Sequence, residues 1–148
     1  MILRREQDDD APAIRAVHAA AFARPDGACP AEVMLVDALR HDGDVVPGLS
    51  VVAVLGADVV GHVVCSRGEL DGRAALGLGP LGVLPFQQRR GIGHALMHGV
   101  LAAADALDEP CVLLLGEVSY SARFGFRPAQ SAGVRPPDPG WGEHFQIR

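Results

Sequence analysis

The sequence lacks a long apolar run and any paired cysteines, and each absence excludes a class of protein. No apolar run approaches the ~20 residues of a membrane-spanning helix, and residues 1–6 lack the apolar core of a signal peptide. Cys29, Cys65 and Cys111 are scattered without a Cys-x-x-Cys pair, which argues against a disulfide framework and against a zinc site. We therefore expect a cytoplasmic protein with no membrane partner and no metal.

The chain also has little positive charge. It carries 13 basic and 18 acidic residues, for a net charge of −5, and its basic residues form no cluster larger than a pair such as Arg89-Arg90. Nucleic-acid binding depends on neutralising phosphates, so this balance argues against a nucleic-acid partner. With 148 residues, of which 49% are hydrophobic, the chain is long enough for one domain with a sizeable core.

Apolar periodicity predicts an alternation of helices and strands. We predict helices over 9–22, 30–41, 93–107 and 119–124, and strands over 1–5, 50–55, 59–67, 74–84, 111–115 and 144–147, with a further strand starting at 126. Residues 42–48 and 136–142 are predicted to be loops. Gly79 and Pro80 interrupt the fourth strand, which indicates a bulge or a place where a ligand approaches. The pattern predicts an α/β sheet with both faces covered.

A turn rich in glycine and arginine joins that strand to the next helix. The first turn of a helix has backbone N–H groups without an intrahelical partner, and the helix dipole adds partial positive charge there. Gly91 and Gly93 remove side chains that would keep an anion away, and Arg89 and Arg90 add charge. The turn therefore predicts a cradle for the pyrophosphate of a ligand. Solvated arginines on a tight turn are the alternative that the turn alone leaves open.

The two commoner phosphate motifs do not fit this turn. The dinucleotide fingerprint needs a third glycine, but Leu96 stands three residues after Gly93. The nucleoside triphosphate loop needs a Gly-Lys-Ser/Thr ending, and the chain contains no lysine. His94 and His98 are four residues apart, as in some metal sites, but no third ligand is evident, so we interpret them as surface histidines.

Several segments, in order along nearly the whole chain, carry a resemblance to a known family. Residues 78–96 read as a strand ending in Val-x-Pro, then Gln-Arg-Arg-Gly-Ile-Gly, then a helix. Residues 113–116, followed by 120–126, read as a strand, a short helix and a Gly-Phe turn. Shorter matches lie at 32–40, 49–53 and 60–62. Together they resemble the GNAT superfamily of N-acetyltransferases, in a bacterial branch of predicted acetyltransferases.

The resemblance implies the fold and the donor. A GNAT-like domain would span residues 1–148, with a mixed, mostly antiparallel sheet, a splayed fourth and fifth strand pair, and helices on both faces. Acetyl-CoA would be the cosubstrate, and no metal would be needed. The implied cofactor-binding residues are Leu81, Gly82 and Val83, whose free backbone groups would pair with the pantetheine amides, together with Gln88, Arg89, Arg90, Gly91, Ile92, Gly93, His94 and Phe124.

The resemblance also implies the chemistry, which would be direct attack of an amine on the thioester in a ternary complex. The acceptor would be a primary amine of a small molecule or a peptide. The backbone N–H of Val83 would serve as oxyanion donor. Glu32 matches a glutamate of the branch beside the acceptor cleft and is the first candidate for the base, with Glu117 as the second.

The residue that would act as general acid, by protonating the departing thiolate, departs from the superfamily pattern. The tyrosine four residues before the Gly of the Gly-Phe pair is replaced by Ser121, and Tyr120 stands one residue earlier. A shift by one residue turns a helical side chain by ~100°. Either Ser121 or a water substitutes, or Tyr120 reaches from another angle, or the protein is a poor catalyst. Tyr120 could equally be an aromatic that packs in the core or contacts the cofactor.

Two further alternatives stay open. The chain could be a CoA-binding sensor or regulatory module without catalysis, or a binder of an unrelated phosphorylated ligand. The chain ends early compared with the family pattern, so its last hairpin could be incomplete or completed by another subunit in a homodimer.

Overall fold

The computed structural model describes all 148 residues as a seven-stranded sheet flanked by four α-helices. The strands are β1 (Ile2–Arg5), β2 (Val45–Leu55), β3 (Asp58–Leu70), β4 (Arg73–Val83), β5 (Val112–Leu115), β6 (Arg127–Pro128) and β7 (Phe145–Ile147). The helices are α1 (Ala11–Ala21), α2 (Ala31–Asp42), α3 (Ile92–Ala106) and α4 (Val118–Ser121). None of them combines the length and the apolarity needed to cross a membrane.

The sheet has the order β1-β2-β3-β4-β5-β7-β6 and is antiparallel except between β4 and β5. These two parallel strands pair only at Leu76 with Val112 and at Gly77 with Leu113. Beyond Gly77 the strands separate, and the C-terminal half of β4 has no neighbour on that side. The predicted mixed, mostly antiparallel sheet with a splayed fourth and fifth strand pair is confirmed.

Two apolar clusters cover the two faces of the sheet. The larger has 19 buried residues and joins α3 to β2, β3, β4 and β5 around Leu76, Leu96 and Val100. On the opposite face, Ile14 of α1 and Val36 of α2 pack with side chains of β2 and β3. Helices therefore pack on both faces of the sheet.

Some predicted element boundaries are wrong. The loop predicted over 42–48 is mostly strand, because β2 begins at Val45 and a register shift between Val45 and Ser50 accommodates Pro47 and Gly48. The short helix predicted over 119–124 is α4 followed by a 3-10 turn, Ala122–Phe124. Part of the loop predicted over 136–142 is a 3-10 segment, Pro139–His144.

The last hairpin forms within one chain, although it is short. Arg127 pairs with Ile147, and Pro128 pairs with Gln146. No strand from another subunit is needed to give β7 a neighbour, since β5 pairs with its other edge. A homodimer stays a prediction.

Candidate active site

A cleft of about 610 Å³ lies between β4 and the N-terminus of α3. Its walls include eight of the predicted cofactor-binding residues, namely Leu81, Gly82, Val83, Gln88, Arg89, Gly91, Gly93 and His94. Sequence reasoning missed three further lining residues, Ala21, Phe22 and Arg123. They come from the end of α1 and from the turn after α4, and only the tertiary fold brings these segments to β4.

The N-terminus of α3 forms one end of this cleft. Gly91 is the N-cap with φ +82°, a left-handed conformation that favours glycine. The first backbone bond of the helix runs from Ala95 N–H to the Gly91 carbonyl at 2.9 Å. The N–H groups of Ile92, Gly93 and His94 therefore have no intrahelical acceptor, as an anion site requires.

Two of the predicted residues on this turn do not line the cleft. Arg90 is exposed and directed elsewhere, whereas Arg89 borders the cleft. The side chain of Ile92 is buried in the core cluster, so this residue can offer only its backbone N–H. Of the two arginines, Arg89 is the one placed to add charge at the helix N-terminus.

The fourth strand has one extra residue where it leaves β5. Val63 pairs with Leu81, and Cys65 pairs with Leu78. Between these two pairs β3 spans two residue steps, whereas β4 spans three. This irregularity is the bulge that Gly79 and Pro80 predicted. The strand therefore bends away from β5 just before the segment that lines the cleft.

The register shows which backbone groups face the gap between β4 and β5. Leu84 N–H donates to the Val60 carbonyl at 2.9 Å, and in an antiparallel pair such bonded positions alternate. Gly82, opposite His62, therefore directs its backbone groups at β3, while Leu81 and Val83 direct theirs into the gap. The expectation that all three residues present free backbone groups is therefore wrong for Gly82.

A second cavity, of about 270 Å³, extends the cleft into the gap between β4 and β5. It is lined by all the candidate acid and base residues, namely Glu32, Glu117, Tyr120 and Ser121. Phe22, Leu81 and Tyr120 border both cavities, so the two are adjacent and share one wall. Glu32 is half-buried, whereas Glu117 is exposed and accepts a bond from the Ser119 hydroxyl at 3.4 Å.

The two candidate acids point to different places. A Cβ built on Gly93 would lie 3.4 Å from the Tyr120 hydroxyl, so this hydroxyl reaches the first turn of α3, between the two cavities. Ser121 is buried, and its hydroxyl lies near Gly116 at the end of β5. Burial raises the pKa of Tyr120 against an opposing effect of Arg123, so the phenol is protonated at neutral pH and can donate a proton.

Phe124 lies behind the cleft wall. Its ring is buried and packs against His94, His98 and Tyr120, with centroid distances of 4.8, 5.0 and 5.4 Å. It therefore supports two lining side chains, His94 and Tyr120, without lining either cavity itself. His94 and His98 are exposed, and no group of three potential metal-binding side chains occurs in the protein.

A buried hydrogen-bond chain reaches the cleft wall from the other side of the sheet. Glu6 accepts bonds from Arg40 and from the Ser50 hydroxyl. The Ser50 oxygen lies 2.8 Å from His62 Nε2, and His62 Nδ1 lies 2.8 Å from His18 Nε2. Because the Ser50 hydroxyl donates its proton to the Glu6 carboxylate, its oxygen accepts a hydrogen bond from the N–H at His62 Nε2. The other ring nitrogen, His62 Nδ1, then accepts from the N–H at His18 Nε2.

This order of donors leaves His18 Nδ1 as a bare acceptor. The atom is buried without a partner and faces Gly82, where a Cβ would lie 2.8 Å from it. Burial lowers the pKa of His18 to about 4 and lowers that of His62 despite Glu6. Burial raises the pKa of Glu6, but bonds from His62, Arg40 and Ser50 outweigh this effect and lower it to about 2.

The fold and the cleft together define a class of protein, an α/β domain with a cleft at a helix N-terminus beside a splayed strand pair. Residues 11–124 match the acetyltransferase (GNAT) family. The chain belongs to this family, as the motifs between residues 78 and 126 predicted.

Relatives of known structure and a curated relative agree with this assignment. One solved structure is a GNAT family acetyltransferase from Brucella melitensis in complex with acetyl-CoA. It is 32% identical to this protein, with a TM-score of 0.81, and the match covers 99% of this chain and 86% of the Brucella chain. YhbS from Escherichia coli, solved with CoA, is 28% identical with a TM-score of 0.88, and the match covers 99% of this chain and 79% of the YhbS chain. YjhQ of Escherichia coli K12, an uncharacterised N-acetyltransferase, is 33% identical over 76% of this chain, which spans only 65% of that relative.

Proposed function

We propose that this chain transfers an acetyl group from acetyl-CoA to a primary amine of a small molecule or peptide, by direct attack in a ternary complex. The observation that carries the proposal is that the cleft at α3 lies directly beside the cavity between β4 and β5 and shares three lining residues with it. The first would hold the donor, and the second would bring its thioester to Glu32 and Tyr120. The complexes of the two relatives with acetyl-CoA and CoA support the donor.

The donor-binding groups follow from the cleft. The unpaired N–H groups of the first turn of α3 and the Arg89 side chain suit a pyrophosphate. The Leu81 backbone groups and the Val83 carbonyl, which face the gap, suit the amides of the pantetheine arm. The Val83 carbonyl already accepts a bond from Gln88 Nε2 at 3.0 Å, so Gln88 would move or share this acceptor.

The remaining groups suit acyl transfer to nitrogen. Acetyl-CoA supplies an already activated acyl group, so the protein must orient the amine and manage two protons. Glu32 would take the proton of the ammonium, and the amine nitrogen would then bond to the carbonyl carbon. The N–H of Val83 would stabilise the oxyanion. As the C–S bond breaks, the Tyr120 hydroxyl would protonate the departing thiolate, and the phenolate left behind would take the second proton that the former amine nitrogen must lose to become the neutral amide.

A second candidate function, a CoA-binding module without catalysis, is favoured by one observation. Ser121, at the position of the superfamily tyrosine, is buried and lies near Gly116. If Tyr120 cannot replace the missing acid, the protein would bind the donor and turn it over poorly.

Two measurements test the proposal. Acetyl-CoA should raise the melting temperature, while ATP and NAD should not, because only a ligand of the native state stabilises it. Release of free thiol from acetyl-CoA should then depend on an added primary amine. Stabilisation without amine-dependent thiol release would favour the non-catalytic module, and stabilisation by ATP or NAD alone would favour an unrelated phosphate ligand.

A further inference from the structure

A third cavity opens from the gap between β4 and β5 onto the face of the sheet that carries α1 and α2. It has a volume of about 510 Å³, and we call it the α2 groove. Glu32, Leu35 and Leu39 of α2 form one wall, and Leu115 and Phe145 form the other. Glu32, Leu78 and Leu115 also line the cavity between β4 and β5, so the groove is the outer end of the same site.

The groove exists because its floor is made of small residues. Ser66 and Gly68 of β3 pair with Gly77 and Ala75 of β4, and all four line the groove. Because these side chains are small or absent, the floor is a flat surface with nothing that projects into the groove. The space above Gly77 is already limited by the Ser66 hydroxyl, which would lie 3.3 Å from a Cβ at this position. The small residues leave a space of about 510 Å³ between this floor and α2, which is room for a ligand.

The walls of the α2 groove are apolar although they face solvent. Only seven large apolar side chains of the protein are exposed, and two of them, Leu35 at 47% and Leu115 at 52%, line this groove. Exposed apolar side chains gathered in one concave surface are typical of ligand sites. Such walls would gain stability by contact with an apolar body.

Negative charge lies at the inner end, where Glu32 and Glu117 both line the cavity between β4 and β5 and Glu32 also borders the groove. Six carboxylates of the protein are paired with arginines, but Glu32 forms no salt bridge and borders both the groove and the inner cavity. Arg67 also lines the groove, but both of its terminal nitrogens bind Glu109, at 2.7 and 2.8 Å. Glu69 is exposed at the outer end. An ammonium group would therefore be attracted inward, with an apolar body behind it.

The floor of the groove gives a peptide backbone little to bond with. It is the face of β3 and β4 where these two strands pair with each other, and the face of a sheet presents side chains, whereas free N–H and C=O groups lie at strand edges. The free edges of β4 and β5 border the groove only at the gap, where the proposed pantetheine arm would bond to them. A small amine with an apolar body needs no backbone partner.

The geometry points to a primary amine with a compact apolar body, an alkylamine or arylalkylamine, as the acceptor, with its ammonium group at Glu32 and its body in the α2 groove. This inference rests on the proposed function and names the substrate class of the same site. Leu35 and Leu115 would determine the specificity, since they are the exposed side chains that the apolar body covers.

A series of amines tests the inference through two separate readouts. The probes are n-alkylamines from propylamine to hexylamine, phenethylamine, 1,6-diaminohexane and a tetrapeptide with a free N-terminus. The readouts are kcat/KM for acetyl transfer and the affinity of each amine for the CoA-loaded protein by calorimetry. Each added methylene should raise both about three- to fourfold, while 1,6-diaminohexane should fall well below hexylamine.

Matched variants show where the chain-length dependence arises. Leu115→Arg should abolish it, because a charged side chain would replace the apolar wall. Leu107→Arg should preserve it, since Leu107 is equally exposed, at 53%, but lies at the end of α3 outside the groove. Glu32→Gln should weaken the binding of every amine and keep the chain-length dependence.

The two readouts separate the possible failures. Chain-length-dependent binding without acetyl transfer would overturn the proposed function and leave the groove assignment intact. Transfer that is independent of chain length, a preference for the tetrapeptide, or an equal effect of Leu115→Arg and Leu107→Arg would overturn the groove assignment. Neither binding nor transfer of any amine would overturn both.

Discussion

The Tyr120 hydroxyl sits between the cleft at α3 and the cavity that holds Glu32, so its role can be tested by removing one atom. Tyr120→Phe should lower kcat about 100-fold, because only the transition state loses a proton donor. The affinity for acetyl-CoA and the free energy of unfolding should hardly change, because the hydroxyl makes no hydrogen bond within the chain. An unchanged kcat would assign Tyr120 to packing alone.

Gly82 allows a test of the contact between His18 and the fourth strand. In Gly82→Ala the new Cβ would lie 2.8 Å from His18 Nδ1, and the His62 bond and the Phe22 ring hold the imidazole in place. We expect a loss of about 1–3 kcal/mol in the free energy of unfolding by urea. Gly68→Ala is the matched control, since its nearest atom would be 3.9 Å away. Equal effects of the two would contradict the close contact.

The locations of single residues in the site could be predicted from the sequence where a local motif defined them. Gly91 and Gly93 occupy the turn that the spacing indicated, and Glu32 lines the inner cavity as the resemblance implied. The bond between His18 and His62 was not predictable, because the two residues lie 44 positions apart on α1 and β3. A helical period alone predicts that His18 is buried but cannot name its partner.

At the scale of elements, the N-terminus of α3 should control donor binding. Gly91→Glu should abolish acetyl-CoA binding by calorimetry, because a carboxylate would stand at the anion site. Gly133→Glu is the matched control: Gly133 has φ +77° and is equally open, but it lies away from the cleft. Both variants should lose about 1–2 kcal/mol of stability from the left-handed conformation, and only the first should lose binding. Binding that survives in Gly91→Glu would show the cradle assignment to be wrong.

Elements with strong periodicity were predicted within a few residues of their bounds, and α3 is the clearest case. The start of β2 was not, because Pro47 and Gly48 normally indicate a loop, whereas a register shift keeps them in the strand. The order of β5, β7 and β6 in the sheet was not predicted, since pairing between distant short strands leaves no periodic signal in the sequence.

For the whole molecule, the buried chain from Glu6 to His18 predicts how stability depends on pH. The folded pKa values of His18 and His62 lie below the unfolded value of 6.5, so the folded state binds fewer protons. The stability that these neutral histidines contribute to the free energy of unfolding is fully present above about pH 6.5 and is lost as the pH falls toward 4. His18 accounts for about 3 kcal/mol of this loss. Glu6 adds a further loss between about pH 4.5 and 2.

Urea unfolding between pH 7.5 and 4 measures this dependence. His18→Gln should be less stable than wild type at pH 7.5 but should lose less stability on acidification, because one titrating group is gone. His41→Gln, which replaces an exposed histidine of α2, should follow the wild-type curve. Parallel curves for wild type and His18→Gln would contradict the buried neutral state of His18.

Only two register pairs join β4 to β5, and the strands that follow, β5, β6 and β7, are short. The amide protons of β5 and β7 should therefore exchange with deuterated solvent before those of β2 and β3. A pantetheine arm bonded to both β4 and β5 would bridge the two strands, and exchange in β5 and β7 would slow even though the donor adds no helix and no strand. In this fold a substrate would act as the missing structural partner, so local unfolding would be most frequent between catalytic cycles.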